Sequence, residues 1–212
     1  FGNAYNPLTN TGSAYFAIGA YYGNAIDNRN ITRQPFQPDL VATKAITTAG
    51  AGVWKPSSLS GDSALYLGAT TAGSNLIQLL NGDGFQIGSS TVINTAAIVH
   101  FWFAFRNGTY FSNGTYAGNA TDNRDIGSVG LDPELVWVKN SGAVNPVFRP
   151  STLEGDSTAY FSATATAADR IQSLGTNSFQ VGGNQTETNA ASTTYYYAAW
   201  DSASTPGGIP DT

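Results

Sequence analysis

The residues with the most chemical potential occur in a repeated pattern. Gly23-Asn24-Ala25-Ile26-Asp27-Asn28-Arg29 returns as Gly118-Asn119-Ala120-Thr121-Asp122-Asn123-Arg124. A carboxylate beside a guanidinium could serve acid–base chemistry, or form a charge-assisted pair that pins a loop. Catalysis would also need a base, a nucleophile and an oxyanion site within reach. The motif brings none of these, so the loop role is expected. Gly would then supply a positive φ, and Asn and Asp would bond back to the local backbone.

Gly61-Asp62-Ser63 and Gly155-Asp156-Ser157 share the Gly-Asp-Ser opening of one esterase class. That serine needs a histidine to take its proton. The chain has one histidine, His100, and the repeat places Tyr195 opposite it. Strand alternation groups His100 with Trp102 and Ala104 in a packed face. The Gly-Asp-Ser segments are therefore expected to turn the chain into the strands ending at Tyr66 and Tyr160. One histidine and no cysteine exclude a usual zinc site. Asn81-Gly82-Asp83-Gly84 offers oxygen ligands for calcium, but its counterpart Gly175-Thr176-Asn177-Ser178 lacks the carboxylate. A hairpin turn is the better reading. No catalytic residue, metal or cofactor is assigned, and no enzymatic activity is expected.

Aromatic side chains could stack on sugar rings. Trp102, Trp137 and Trp200 lie in alternating strand patterns that suit a core. Trp54, matched by Phe148 just before a proline, is expected to clamp a loop.

These motifs sit in an internal duplication. Pro38-Asp39-Leu40-Val41 matches Pro133-Glu134-Leu135-Val136, and Val53-Trp54-Lys55-Pro56-Ser57 matches Val147-Phe148-Arg149-Pro150-Ser151. Phe85-Gln86-Ile87-Gly88 matches Phe179-Gln180-Val181-Gly182, Asn94 matches Asn189, and Phe105 matches Trp200. The period is too long for a solenoid repeat, so whole domains are duplicated. The expected division is an N-terminal extension (1–13), a first repeat (14–105), a short linker (106–108), a second repeat (109–200) and a C-terminal tail (201–212).

Each repeat reads as all-β. Runs at 39–44, 63–67, 85–87 and 98–105, and at 134–139, 157–161, 179–181 and 193–200, are rich in Val, Ile, Tyr, Phe and Trp. Gly, Pro, Asn and Ser bound them. A turn or two of helix is expected at 71–80 and 165–174. The whole predicts two tandem antiparallel β-sandwich domains of jelly-roll type.

Charged residues make up 11% of the chain, and the net charge is −5. Nine Lys and Arg cannot line a nucleic-acid backbone. No apolar run reaches the roughly 18 residues needed to cross a bilayer. So few charges suit a surface covered by neighbouring subunits, or one coated with hydroxyls and sugars. The chain lacks Cys, so it has no disulfide framework, and it lacks Met and begins at Phe1, which fits a processed, exported protein. Asn-x-Ser/Thr sequons at Asn30, Asn107, Asn113, Asn119 and Asn184 are the glycosylation candidates.

The second repeat resembles a module of phage and bacterial tail-associated structural proteins. Tyr116-Ala117-Gly118-Asn119, Arg124, Ile126 and Pro133 to Asn140 carry the likeness, with Phe179 to Gly182 and Tyr195 to Trp200. The first repeat departs from it, with Ala42 where Trp137 stands. The resemblance implies a concanavalin-like jelly-roll sandwich in a structural or adhesive appendage, and no catalytic residues.

The expected function is a non-enzymatic structural subunit of an extracellular filament or appendage. Copies would join head-to-tail by repeating the contact between the two domains, an open heterologous arrangement. Phe1, Tyr5 and Leu8 could lie along a sheet edge of the next subunit. The alternative is a carbohydrate-binding or receptor-binding module.

Overall fold

Short runs of β-branched and aromatic residues, each ended by a turn former, leave this chain little choice but strands. The computed structural model describes residues 14–47 and 49–202. The first half contains β1 (Phe16–Tyr22), β2 (Arg29–Thr32), β3 (Leu40–Ala45), β4 (Val53–Pro56), β5 (Leu65–Tyr66), β6 (Ile77–Asn81), β7 (Gly84–Ile87), α1 (Thr91–Asn94) and β8 (Val99–Phe105). The second contains β9 (Phe111–Ala117), β10 (Arg124–Gly127), β11 (Leu135–Asn140), β12 (Val147–Pro150), β13 (Ala159–Tyr160), β14 (Ile171–Gly175), β15 (Ser178–Val181) and β16 (Thr194–Trp200).

Each half has a five-stranded and a three-stranded antiparallel sheet. The orders are β1-β8-β3-β4-β5 with β2-β7-β6, and β9-β16-β11-β12-β13 with β10-β15-β14. The nested pairing of β1 with β8 and β2 with β7 wraps each half like a jelly roll. The protein is thus all-β, with two tandem β-sandwich domains.

The helices expected at 71–80 and 165–174 do not form. Those segments hold β6 and β14 instead, with Ile77 and Ile171 fully buried. The four-residue α1 lies elsewhere and is capped by the Ser90 side chain, which accepts from the Val92 amide.

Inside each half the core forms between the two sheets. Tyr21, Val41, Val53 and Ala104 from the larger sheet meet Ile31, Ile77, Phe85 and Ile87 from the smaller, with Ile93 closing one end. Tyr116, Val136, Val138, Tyr195 and Tyr197 meet Ile126, Ile171, Phe179 and Val181 in the second half.

The other face of each five-stranded sheet is apolar too, because strands buried on both faces lose the polar alternation. The two larger sheets pack on each other through these faces. Leu40, Ala42, Trp54, Leu65, Phe111 and Ala198 form a third core, with Phe103, Phe105, Trp137 and Trp200 packed against it. The molecule is therefore four layers deep, with three-, five-, five- and three-stranded sheets in turn.

This arrangement corrects one expectation. Trp54 does not clamp a loop: it is fully buried, 6.3 Å from the Trp137 ring, and Trp137 and Trp200 also lie between the halves. The two larger sheets meet through like faces. Like sheets that meet through the same face are related by about a half-turn, since only a half-turn reverses the direction a face looks. The matched residues Phe105 and Trp200 touch, with ring centroids 5.5 Å apart, as residues near a two-fold axis do. A contact of this self-complementary kind closes on itself.

Trp54→Ala is expected to cost about 3–5 kcal/mol of stability. Urea unfolding followed by intrinsic fluorescence checks this.

Candidate functional site

In the first repeated motif, Arg29 does not pair with Asp27. Its guanidinium donates to the Tyr22 carbonyl and lies 5.6 Å over the Tyr21 ring. Arg124 repeats this with the Ala117 carbonyl and the Tyr116 ring, at 5.7 Å. The carboxylates serve the backbone instead. Asp27 accepts from the Asn28 amide and the Gln78 side chain, and Asp122 accepts from the Asn123 amide and the Gln172 side chain. The expected Asp–Arg pair is thereby corrected to two separate anchors for one loop.

The glycine reading changes as well. Positive φ falls on Ala25 and Asn28, and on Ala120 and Asn123. Gly23 and Gly118 are needed for close approach: a Cβ would sit 2.0 Å from the Thr95 oxygen or 2.1 Å from the Ala190 oxygen.

Both loops are tied to a buried asparagine. Asn94 donates to the Ile26 and Gly88 carbonyls and accepts from the Asn24 amide, at 2.8–2.9 Å. Asn189 donates to the Thr121 and Gly182 carbonyls and accepts from the Asn119 amide. Both side chains are fully buried with their amides saturated, as a buried polar group requires.

The Gly-Asp-Ser segments are organised by a cation that the sequence reading passed over. Lys55, nearly fully buried, donates to the carbonyls of Leu59, Gly61 and Ser63 at 2.7–3.1 Å. Arg149 donates to Leu153, Gly155 and Ser157, the same three positions of the second half. Burial pushes the Lys55 pKa down to about 8, with Asp62 opposing, so it remains mainly charged at neutral pH. Asp62 and Asp156 accept from the backbone amides of Asn75 and Asp169. These carboxylates join two loops. The matched pair Lys55 and Arg149 was the signal that could have revealed the hub.

His100 is fully buried and stacks on Tyr21 at 5.2 Å. Neither ring nitrogen has a hydrogen-bond partner among the described residues. Burial, with Arg29 adding to it, pushes its pKa down to about 4. The structure therefore keeps His100, Asp27 and Asp62 in separate roles. Among the described residues, no group of three or more His, Cys, Asp or Glu could hold a metal ion. Asn81 to Gly84 makes a hairpin turn between β6 and β7.

The sequons divide. Asn30, Asn107, Asn119 and Asn184 are exposed. Asn113 is not a free acceptor. Its side-chain nitrogen donates to the Asp39 carbonyl and Ser57 Oγ, and its oxygen accepts from the Ser58 amide. Asn113 thus clamps one side of the contact between the halves, and a glycan there would displace the clamp. Phe1, Tyr5 and Leu8 lie outside the described residues.

On the other side of that contact the half-turn places Ile18, the counterpart of Asn113. No clamp forms there, and the halves part into a cleft of about 500 Å³. Phe16, Ile18, Phe103, Leu135, Trp137 and Trp200 are among its lining residues. The counterparts of several of these, Phe111, Ala198, Leu40 and Ala42, form closed core. Ile18 for Asn113 is one of the differences between the copies at this contact, alongside Phe103 for Ala198 and Trp137 for Ala42.

Exposed large apolar residues follow the same asymmetry. Ile18, Tyr22, Ile26, Ile46 and Leu79 of the first half are more than half exposed, and Asn113, Ala117, Thr121, Ser141 and Ser173 stand at the matching positions of the second. Comparing the repeats position by position would have exposed this contrast.

Fold and surface together define a duplicated all-β protein with an apolar cleft and one apolar half. Residues 106–212, just over half the chain, match the family model described as a domain of unknown function, DUF7483. The chain belongs to that family. No curated protein and no solved structure matches it.

Two outcomes are expected. Asn94→Ala should destabilise the protein by about 2–4 kcal/mol in urea unfolding, since it strands buried backbone groups. The second concerns acid. The unfolded chain takes a proton on His100 below about pH 6.5, the folded chain only below about 4. Stability should be complete above pH 6.5 and fall towards pH 4, by on the order of 3 kcal/mol in all. His100→Phe should flatten that limb in urea titrations across pH 4–7.

Proposed function

We propose that this protein is a non-enzymatic structural subunit that assembles with copies of itself, in an extracellular filament or appendage. The observation that carries the reading is the placement of its exposed apolar residues. Most of them lie on the first half, and Ile18, Tyr22, Ile26, Ile46 and Leu79 stand where the other half bears polar or small residues. A duplicated domain that served only its own stability would have no reason to keep one copy apolar outside. Among the exposed apolar residues, Ile18 and Phe101 stand together on the paired strands β1 and β8, and a contiguous exposed apolar patch marks an interaction site. The few charged residues, 11% of the chain, agree with a surface that is covered in use.

Assembly then runs through the outer surfaces of the first half. The sheet faces between the halves are already occupied by each other. The appendage role and the extracellular setting rest on the resemblance of the second repeat to tail-associated modules, with which the exposed sequons agree.

A sugar-binding module has weaker support. Trp54 lies buried between the halves and cannot stack on a ligand. The cleft offers Trp137 and Trp200, but its lining is apolar and lacks the hydrogen-bonding groups that orient a sugar.

Sedimentation velocity and electron microscopy of the full chain test the proposal. Species larger than the monomer are expected, growing with concentration. A monomer at every concentration refutes it.

A further inference from the structure

Strand β1 is the edge of its sheet. Its pairing with β8 directs the backbone groups of Tyr15, Ala17, Gly19, Tyr21 and Gly23 inward: the Tyr15 carbonyl accepts from Arg106, and Gly23 donates to Ile98. The N–H and C=O groups of Phe16, Ile18, Ala20 and Tyr22 therefore point away from the sheet. Arg29 occupies the Tyr22 carbonyl. Nothing among the described residues bonds the outward groups of Phe16, Ile18 and Ala20.

The matching edge, β9, is treated differently. The Phe111 carbonyl accepts from the Gly108 amide, the Asn113 amide donates to the Asn107 side chain, and Arg124 occupies the Ala117 carbonyl. One copy of the edge is blocked as natural sheets usually block theirs, while the other is left open.

Three consecutive outward residues define a self-complementary ladder. A second β1 laid antiparallel, centred on Ile18, pairs Phe16 with Ala20 of the other copy, Ile18 with Ile18, and Ala20 with Phe16. Each such pair exchanges two hydrogen bonds. Charge raises no objection, since Ala14 to Ile26 contains no charged residue that a two-fold would set against itself. The same operation brings together the exposed side chains of Phe16, Ile18 and Phe101, which are 38%, 51% and 52% accessible.

We infer that two copies of this chain pair through β1, antiparallel and centred on Ile18, joining two five-stranded sheets into one. The inference rests on the self-assembly proposed above and specifies its contact. The occupant is a second copy because the open groups match each other in number and register without any outside partner.

The experiment uses the full chain. Ala20→Pro removes an outward N–H that the monomer does not use, so the fold should stand. It deletes two of the six intermolecular bonds and should weaken pairing by about tenfold to a hundredfold in sedimentation equilibrium. Ile18→Lys sets like charges directly opposite and should abolish pairing. Circular dichroism of both variants should match that of the parent. A register readout comes from Tyr22→Cys, the chain's single cysteine, carrying a spin label. The proposed pairing sets the two copies of residue 22 eight residues apart along the ladder, about 27 Å between Cα atoms.

Assembly that persists in both variants overturns the β1 contact while leaving self-assembly intact. A label separation far from that value overturns the register. A monomer with β1 amides protected from hydrogen exchange shows the edge filled from within its own chain, and overturns both the contact and the assembly reading.

Discussion

The packing of the two large sheets through like faces is the constraint on which the molecule turns. An apolar outer face on a five-stranded sheet must be covered, and the duplicated chain covers it with its own second copy. Because the faces are alike, the half-turn between them follows from geometry and not from any particular residue. The consequence is that each half covers most of the partner face, and the cleft on the Ile18 side is the part left open.

Within that frame, differences between the copies decide where the protein is open. Asn113 joins Asp39, Ser57 and Ser58 on one side of the contact. Ile18 has no polar side-chain atom to offer on the other side, where a cleft lies. Edge strands behave in parallel. The linker reaches over β9 through Asn107 and Gly108, whereas β1 keeps three outward residues unbonded by any described group. Symmetry supplies the scaffold, and departures from it supply the surface.

The sequence made the duplication and the strand-rich character of each half plain, because matched Val, Ile and Phe positions signal strands whatever their partners. It failed where tertiary contacts choose among local options. The strand-rich runs named from the sequence leave out β1 and β9, whose Gly-Ala and Asn-Gly pairs weaken the pattern, yet both form seven-residue strands because β8 and β16 pair with them along their whole length. Arg29 and Asp27 are adjacent enough to suggest an ion pair, but a free carbonyl at Tyr22 lies nearer the guanidinium's reach. Trp54 looked like a loop clamp because the sheet that buries it belongs to the other half. Strand alternation names the residues on a face but not what the face meets.

The repeated polar motifs make the same point about chemistry. Asn94, Asn189, Lys55 and Arg149 are side chains that an active site would use, and here they are committed to backbone carbonyls and amides. A buried cation donating to three carbonyls holds a loop in one conformation, since each lost bond strands a group that water cannot reach. Such hubs explain how so many short strands, joined by long loops, keep a single register. They also explain why the bonding groups of the motifs recur, with Arg149 for Lys55, while outward residues such as Ile18, Ile46 and Leu79 differ from their counterparts. The hubs answer to the fold, which both halves share, and the outer positions answer to whatever each half faces.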